Sequence, residues 1–137
     1  MAVKLIPQDL ATLQEAYEMR LEEYKALRAA SQWQGAVLHS GFLLELALKI
    51  AICKHLDEPK LPRIFQVHDL ELLFYCSGLR KTHGNYPVLQ RNLTIVVTNW
   101  SLDLRYEKHK ITQGKADKVH QALFDVANGL LTFLSTL

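Results

Sequence analysis

The sequence predicts an all-α fold, a single-domain bundle of about five helices over residues 1–137. The four prolines leave two long proline-free stretches, 8–58 and 88–137, and proline inside a helix costs about 3 kcal/mol. Within both stretches apolar residues recur every three or four positions, the spacing that places them on one helix face. The length of 137 residues and the 49% hydrophobic content fit one soluble domain with a single core.

The first proline-free stretch is typical of two helices. The first covers about 9–29, and its apolar face consists of Leu10, Leu13, Tyr17, Leu21, Tyr24 and Leu27. Ser31 is then predicted to cap a second helix that runs to about His55. Apolar residues nearly encircle this second helix, so it lies either at the centre of the bundle or in a subunit interface. Glu45 and Lys49 stand four residues apart on it, in the favourable order for an ion pair.

The second half of the chain is predicted to add three helices. A short third helix begins near His68–Asp69 and ends near Gly78, and a polar turn over 80–85 follows it. The fourth helix covers 87–102; its β-branched Thr-Ile-Val-Val-Thr run would also suit a strand, but no partner strand is predicted elsewhere. The last helix begins near residue 115, and its apolar face consists of Val119, Leu123, Val126, Leu130, Phe133 and Leu137.

Composition and charge exclude several classes of protein. Sixteen Lys and Arg against 14 Asp and Glu leave a net charge of +2, far from that of a strongly basic nucleic-acid binder. The most apolar stretch, 36–53, is interrupted by His39, Glu45 and Lys49, so it predicts a buried helix rather than a membrane span. No targeting segment is expected, and two isolated cysteines indicate reduced thiols in the cytoplasm. The six histidines show no metal-ligand spacing, so no metal or cofactor is expected.

Two short polar groups have simple structural explanations beside a functional one. His68-Asp69 opens the third helix, where an Asp in the first turn meets the positive end of the helix dipole. That explanation is favoured over a ligand-binding role for His68. The run Arg80-Lys81-Thr82-His83 forms a small basic loop, most simply a solvated turn.

The segment 103–110 carries the richest chemistry. It contains Arg105, Tyr106, Lys108, His109 and Lys110. An arginine clamps a phosphate with its planar fork, and a histidine moves a proton near neutral pH. Together the two are the minimum equipment for cleaving RNA without a metal. The residues alone favour a simpler alternative, in which Arg105 pairs with Asp103 or Glu107 and His109 is merely exposed.

The order of these features resembles the HEPN family of helical bundles. The motifs are a central helix reading Gly41-Phe-Leu-Leu-Glu45-Leu-Ala-Leu48-Lys49, the His68-Asp69-Leu70 helix start, and an Arg105-Tyr106 pair before a final amphipathic helix. The resemblance spans about residues 10–135. It implies an up-and-down four-helix core, a homodimer formed through central helices, and often a nucleotidyltransferase or antitoxin partner. Catalytic members are metal-independent ribonucleases that carry Arg, four to six residues, then His; other members bind nucleotides or protein partners.

This sequence departs from the ribonuclease pattern, because only three residues separate Arg105 from His109. The leading interpretation is a non-catalytic dimeric module that binds a nucleotide, RNA or a cognate protein through a cleft around Arg105. The ligand-binding candidates are Arg105, Tyr106, Lys108, His68 and Asp69. The first alternative is a metal-independent endoribonuclease toxin that uses Arg105 and His109, which an i, i+4 spacing would place on one helix face. The second alternative is a pure protein-assembly module.

Overall fold

The computed structural model describes residues 8–80, 83–108 and 110–137 of the chain. It contains the helices α1 (Leu10–Ala29), α2 (Trp33–His55), α3 (Leu70–Tyr75), α4 (Tyr86–Asn99), α5 (Gln113–Phe124) and α6 (Leu130–Leu134). Two 3₁₀ helices, Arg63–Phe65 and Leu102–Arg105, lie in the connections. Across these described ranges there is no β-strand, only an isolated antiparallel bridge between Asp9 and Lys60. The prediction of an all-α bundle is confirmed.

The helix α2 forms the centre of the bundle. The helices α1, α3, α5 and α6 and the 3₁₀ helix Leu102–Arg105 all pack against it, and 13 of its 23 residues are buried. Its all-round apolar character is therefore explained within one chain. By length and composition α2 could cross a membrane, but 72% of its most apolar window is buried in the bundle. A core helix of a soluble protein meets the same criteria, so this is weak evidence for a membrane span.

The junction between α1 and α2 differs from the prediction. Asp9 caps α1, since its Oδ1 accepts a hydrogen bond from the Thr12 N–H at 2.7 Å. Ser31 does not cap α2; it has a φ of 57° and occupies the left-handed position just beyond the end of α1. The Gln32 N–H bonds back to the Leu27 carbonyl at 2.9 Å, which completes a Schellman motif. Ser31 therefore ends the first helix, and α2 begins without a side-chain cap.

The predicted last helix is two helices. After α5, Asp125 turns to an extended conformation with ψ of 134°, and its Oδ2 accepts from the N–H groups of Ala127 and Asn128. These bonds compete with helix continuation. Val126, predicted to lie on the apolar face, is 91% exposed in this turn. Gly129 then permits a close return of the chain, because a Cβ there would lie 2.5 Å from the Asp125 nitrogen.

The other two helix predictions are confirmed in type. The helix α4 covers the β-branched run and carries Pro87 in its first turn, where a missing N–H costs nothing. The helix α3 begins where predicted, but it ends at Tyr75, three residues before Gly78. Gly78 has a φ of +92°, a backbone conformation that glycine adopts without strain. Lys81 and Thr82, in the predicted basic loop, lie outside the described residues.

Candidate functional site

The segment between α4 and α5 is held to the central helix by one side chain, Gln34 of α2. The Gln34 Oε1 accepts hydrogen bonds from the backbone N–H of Lys110 at 2.8 Å and of Ile111 at 3.2 Å. Its Nε2 donates to the carbonyls of Leu104, at 3.1 Å, and of Glu107. One amide thus satisfies four backbone groups of a connection that has little regular structure. Sequence reasoning missed Gln34, because a single glutamine on a helix carries no pattern.

Arg105 and Tyr106 project from this anchored segment into solvent. The Arg105 Nε donates to the Leu102 carbonyl at 2.9 Å, and its guanidinium carbon lies 5.1 Å from the centre of the Tyr106 ring. The Tyr106 residue is 79% exposed. Neither Asp103 nor Glu107 forms an ion pair with Arg105; Glu107 pairs with Lys110 instead, at 3.0 Å. The predicted pairing of Arg105 with a neighbouring carboxylate is therefore not found.

Lys108 is also exposed on this segment, whereas His109 lies outside the described residues. The Arg105–His109 pair of the ribonuclease alternative therefore stays a prediction. We refer to Arg105, Tyr106 and Lys108 as the Arg105 platform. It combines an exposed aromatic ring with two cations on a segment anchored by four hydrogen bonds with Gln34.

His68 and Asp69 have structural roles that the sequence only partly indicated. The Asp69 Oδ1 accepts from the Leu72 N–H at 3.1 Å and so caps α3, at the helix start where an Asp in the first turn was predicted. The His68 Nδ1 lies 2.7 Å from Glu45 Oε1, and the Lys49 Nζ lies 3.2 Å from Glu45 Oε2. Glu45 and Lys49 are buried, which makes their pairing obligatory. The carboxylate of Glu45 is thus shared between a buried lysine and an exposed histidine.

A cleft of about 340 Å³ separates the start of α3 from the end of α4. Its lining consists of His68, Asp69, Leu70, Glu71, Val97, Trp100, Ser101, Leu102 and Asp103. We refer to it as the acidic cleft, because three carboxylates line it and its only basic group is the His68 ring. The cleft brings His68 and Asp69 together, while Arg105, Tyr106 and Lys108 are not part of its lining.

Trp100 connects the acidic cleft to the glycine of the central motif. Its Nε1 donates to the Leu38 carbonyl at 3.0 Å, and its ring meets Phe42 edge-on. A Cβ on Gly41 would lie 2.0 Å from that same Nε1, so any larger residue there displaces the indole. Gly41 therefore permits the close packing that fixes the end of α4, from which the anchored segment continues.

A second polar cluster lies between α1 and α5, where sequence reasoning had assigned only apolar packing. The Tyr24 hydroxyl and the His120 Nδ1 are 2.9 Å apart, and Phe124 stacks on Tyr24 at 5.5 Å. Burial raises the pKa of Tyr24 to about 12. Burial, with the nearby Arg28 cation, lowers the pKa of His120, while Asp117 acts in the opposite direction. Both groups are therefore neutral at pH 7.

No cluster of three or more His, Cys, Asp or Glu side chains suited to a metal ion occurs in the described part of the chain. Cys53 is buried and Cys76 is half-buried; both are free thiols, and burial raises the pKa of Cys53, which keeps it protonated. Comparisons with protein-family models, with curated proteins and with solved structures find no match to this chain.

Proposed function

We propose that this protein is a HEPN-like, non-catalytic helical module that binds single-stranded RNA, or a nucleotide of the same chemistry, on the Arg105 platform. The observation that carries the proposal is the 79% exposure of Tyr106 beside a guanidinium that no carboxylate neutralises in the described residues. Exposed aromatic rings of this kind serve as stacking surfaces for bases, and adjacent cations hold the phosphates.

The chemistry of each platform residue fits this ligand. A base has a π-face that stacks on the Tyr106 ring, which is open to solvent. The Arg105 guanidinium presents a planar set of donors to a phosphate, and Lys108 adds a mobile positive charge. Because the Gln34 hydrogen bonds already order the segment, binding costs less conformational entropy than it would for a free loop.

The charge of the acidic cleft argues against phosphate binding there and so supports its assignment to the Arg105 platform. Asp69, Glu71 and Asp103 repel a phosphate, so the cleft favours a cationic or neutral ligand over a nucleotide. His68 is engaged by Glu45 at 2.7 Å and is not free to act as a general base there. We therefore assign phosphate binding to Arg105 and Lys108 rather than to the acidic cleft.

Fluorescence polarisation with a short labelled single-stranded RNA tests the proposal. We expect Tyr106→Ala to weaken binding about fivefold or more, since stacking contributes about 1–3 kcal/mol per base. Arg105→Ala should weaken it by a similar factor, because it removes a phosphate contact. The matched controls are Tyr75→Ala and Arg63→Ala, which remove an exposed ring and an exposed cation elsewhere. Equal affinity of the Tyr106→Ala variant and the parent would contradict the proposal.

Binding should also weaken with salt, but only shallowly. The platform offers two cations, so few counterions are released and the slope of affinity against salt is small. Cleavage of the RNA in excess EDTA that His109→Ala abolishes would replace the proposal by the metal-independent endoribonuclease. Loss of folding, rather than of binding, in Arg105→Ala would favour the pure assembly module.

The remaining expectations belong to the same proposal. We place the protein in the cytoplasm, since its thiols are free and one of them is buried. A homodimer, and a nucleotidyltransferase or antitoxin partner, stay predictions that derive from the resemblance alone.

A further inference from the structure

A groove of about 470 Å³ runs between α4 and α5, away from both the acidic cleft and the Arg105 platform. The wall from α4 consists of Val88, Arg91, Asn92 and Ile95, and the other wall consists of Lys118, Gln121 and Ala122 of α5. Asp125 and Asn128, which follow α5, complete the lining. The α4 set follows the i, i+3, i+4, i+7 spacing and the α5 set the i, i+3, i+4 spacing, so each wall is one face of its helix. Two helix faces that line one groove can receive a third helix between them.

The α4–α5 groove carries an unneutralised positive charge on each wall. Arg91 and Lys118 are both exposed, and among the described residues neither has an ion-pair partner. Asp125 also lines the groove and accepts hydrogen bonds from the N–H groups of Ala127 and Asn128, so the lining carries two cations against one anion. The groove therefore favours a helix that carries carboxylates at its edges and an apolar side chain toward Val88, Ile95 and Ala122.

The outer face of α1 has those properties. It consists of Glu15, Glu18, Met19 and Glu22, all exposed and again spaced i, i+3, i+4, i+7. Met19 is 59% exposed between the glutamates, and within the described residues Glu15 and Glu18 have no ion-pair partner. Glu22 meets only the exposed Lys25, at 3.6 Å. The buried residues of α1, Leu13 and Tyr24, lie on the opposite side of the helix.

We propose that the outer face of α1 in one copy of this chain docks into the α4–α5 groove of a second copy. The docked face and the α4 wall each span eight residues, about 10 Å of helix, so their lengths match. Three glutamates face Arg91 and Lys118, and Met19 fills the apolar floor. The two surfaces share no residue, so the contact is head-to-tail and extends beyond a dimer unless it closes into a ring. It is independent of RNA binding, because no platform residue lines either surface.

Sedimentation velocity over a range of protein concentrations tests this contact with two charge-reversed variants. One variant carries Arg91→Glu and Lys118→Glu; the other carries Glu15→Lys and Glu18→Lys. We expect the parent to associate at low salt, and each variant alone to associate at least about tenfold more weakly, because like charges then face each other. Association of the parent should also be lost at about 1 M salt, where the Debye length is about 3 Å.

The mixture of the two variants gives the sharpest result. In the mixture, the reversed groove of the first variant complements the reversed α1 of the second. The unchanged groove of the second variant also meets the unchanged α1 of the first, as in the parent. Association should therefore return on mixing. The matched control, Arg63→Glu with Arg80→Glu, makes the same change in net charge as the groove variant, but at exposed positions outside the groove. It should associate like the parent. A parent that stays monomeric at low salt, variants that associate as strongly as the parent, or a mixture that does not would each overturn the proposal. Circular dichroism confirms that every variant is folded.

Discussion

Single residues with buried polar groups set the most demanding constraints in this protein. Glu45 and Lys49 are both buried, and the Lys49 Nζ lies 3.2 Å from Glu45 Oε2. The exposed His68 ring hydrogen-bonds the other carboxylate oxygen of Glu45. Each member of such a pair requires the other, because removing one leaves the other charge buried without a partner. Burial likewise favours the neutral forms of Tyr24 and His120, whose side chains hydrogen-bond each other between α1 and α5.

Replacing Glu45 should destabilise the protein far more than replacing its exposed partner. We expect Glu45→Ala to lower the free energy of unfolding by about 3–5 kcal/mol, since it leaves the Lys49 ammonium buried and unpaired. His68→Ala should cost about 1 kcal/mol or less, because its side chain is 62% exposed. Urea unfolding measures both. The double variant Glu45→Leu/Lys49→Met should recover most of the loss, and a double variant as unstable as Glu45→Ala would contradict this account.

His120 should make stability depend on pH. Its pKa in the folded protein is lowered by burial, so the unfolded chain binds the proton more readily. The stabilisation is therefore fully present above the ordinary His pKa of about 6.5 and is lost as pH falls through the lower folded value. We expect the stability difference between the parent and His120→Gln to shrink from about pH 7 to about pH 5. A difference that grows toward acid pH would show that the sign is wrong.

At the scale of elements, periodicity located the helices and failed at their ends. The apolar spacing placed α1, α2 and α4, and the start of α5, to within a few residues, because burial of one face decides helix formation. It could not show that the Asp125 carboxylate would bond backbone N–H groups and split α5 from α6. Ser31 was assigned to the wrong helix, since small polar residues suit both the start of a helix and the left-handed turn after one.

The left-handed residues after α1 and α2 offer a direct test of these helix ends. Ser31 has a φ of 57° and Asp57 a φ of 52°, conformations that cost a residue with a Cβ about 1 kcal/mol relative to glycine. We expect Ser31→Gly and Asp57→Gly each to raise the free energy of unfolding by about 0.5–1 kcal/mol. The control is Ala30→Gly, whose φ of −89° gains nothing from glycine and should instead lose stability. Thermal unfolding that ranks Ala30→Gly above Ser31→Gly would refute the assignment.

At the scale of the molecule, the candidate site depends on contacts between residues distant in sequence. Gln34 bonds to Glu107, 73 positions away, and Tyr24 bonds to His120, 96 positions away. No spacing rule encodes such pairs, so reasoning from the sequence found Arg105, Tyr106 and Asp69 but missed the side chains that position them. The net charge of +2 likewise does not show where the charges lie. The folded chain has an acidic cleft, a basic platform and a basic groove.

The central claim, that the Arg105 platform binds single-stranded RNA, is tested most directly by mapping the contact. A titration of ¹⁵N-labelled protein with a short single-stranded RNA, followed by NMR, reports every amide at once. The account predicts shifts concentrated on residues 102–108 and on the side-chain amide of Gln34, with the rest of the acidic-cleft lining, residues 68–71, 97, 100 and 101, undisturbed. Shifts centred on His68 and Glu71, or on Arg91 and Lys118, or none at saturating RNA, would contradict it.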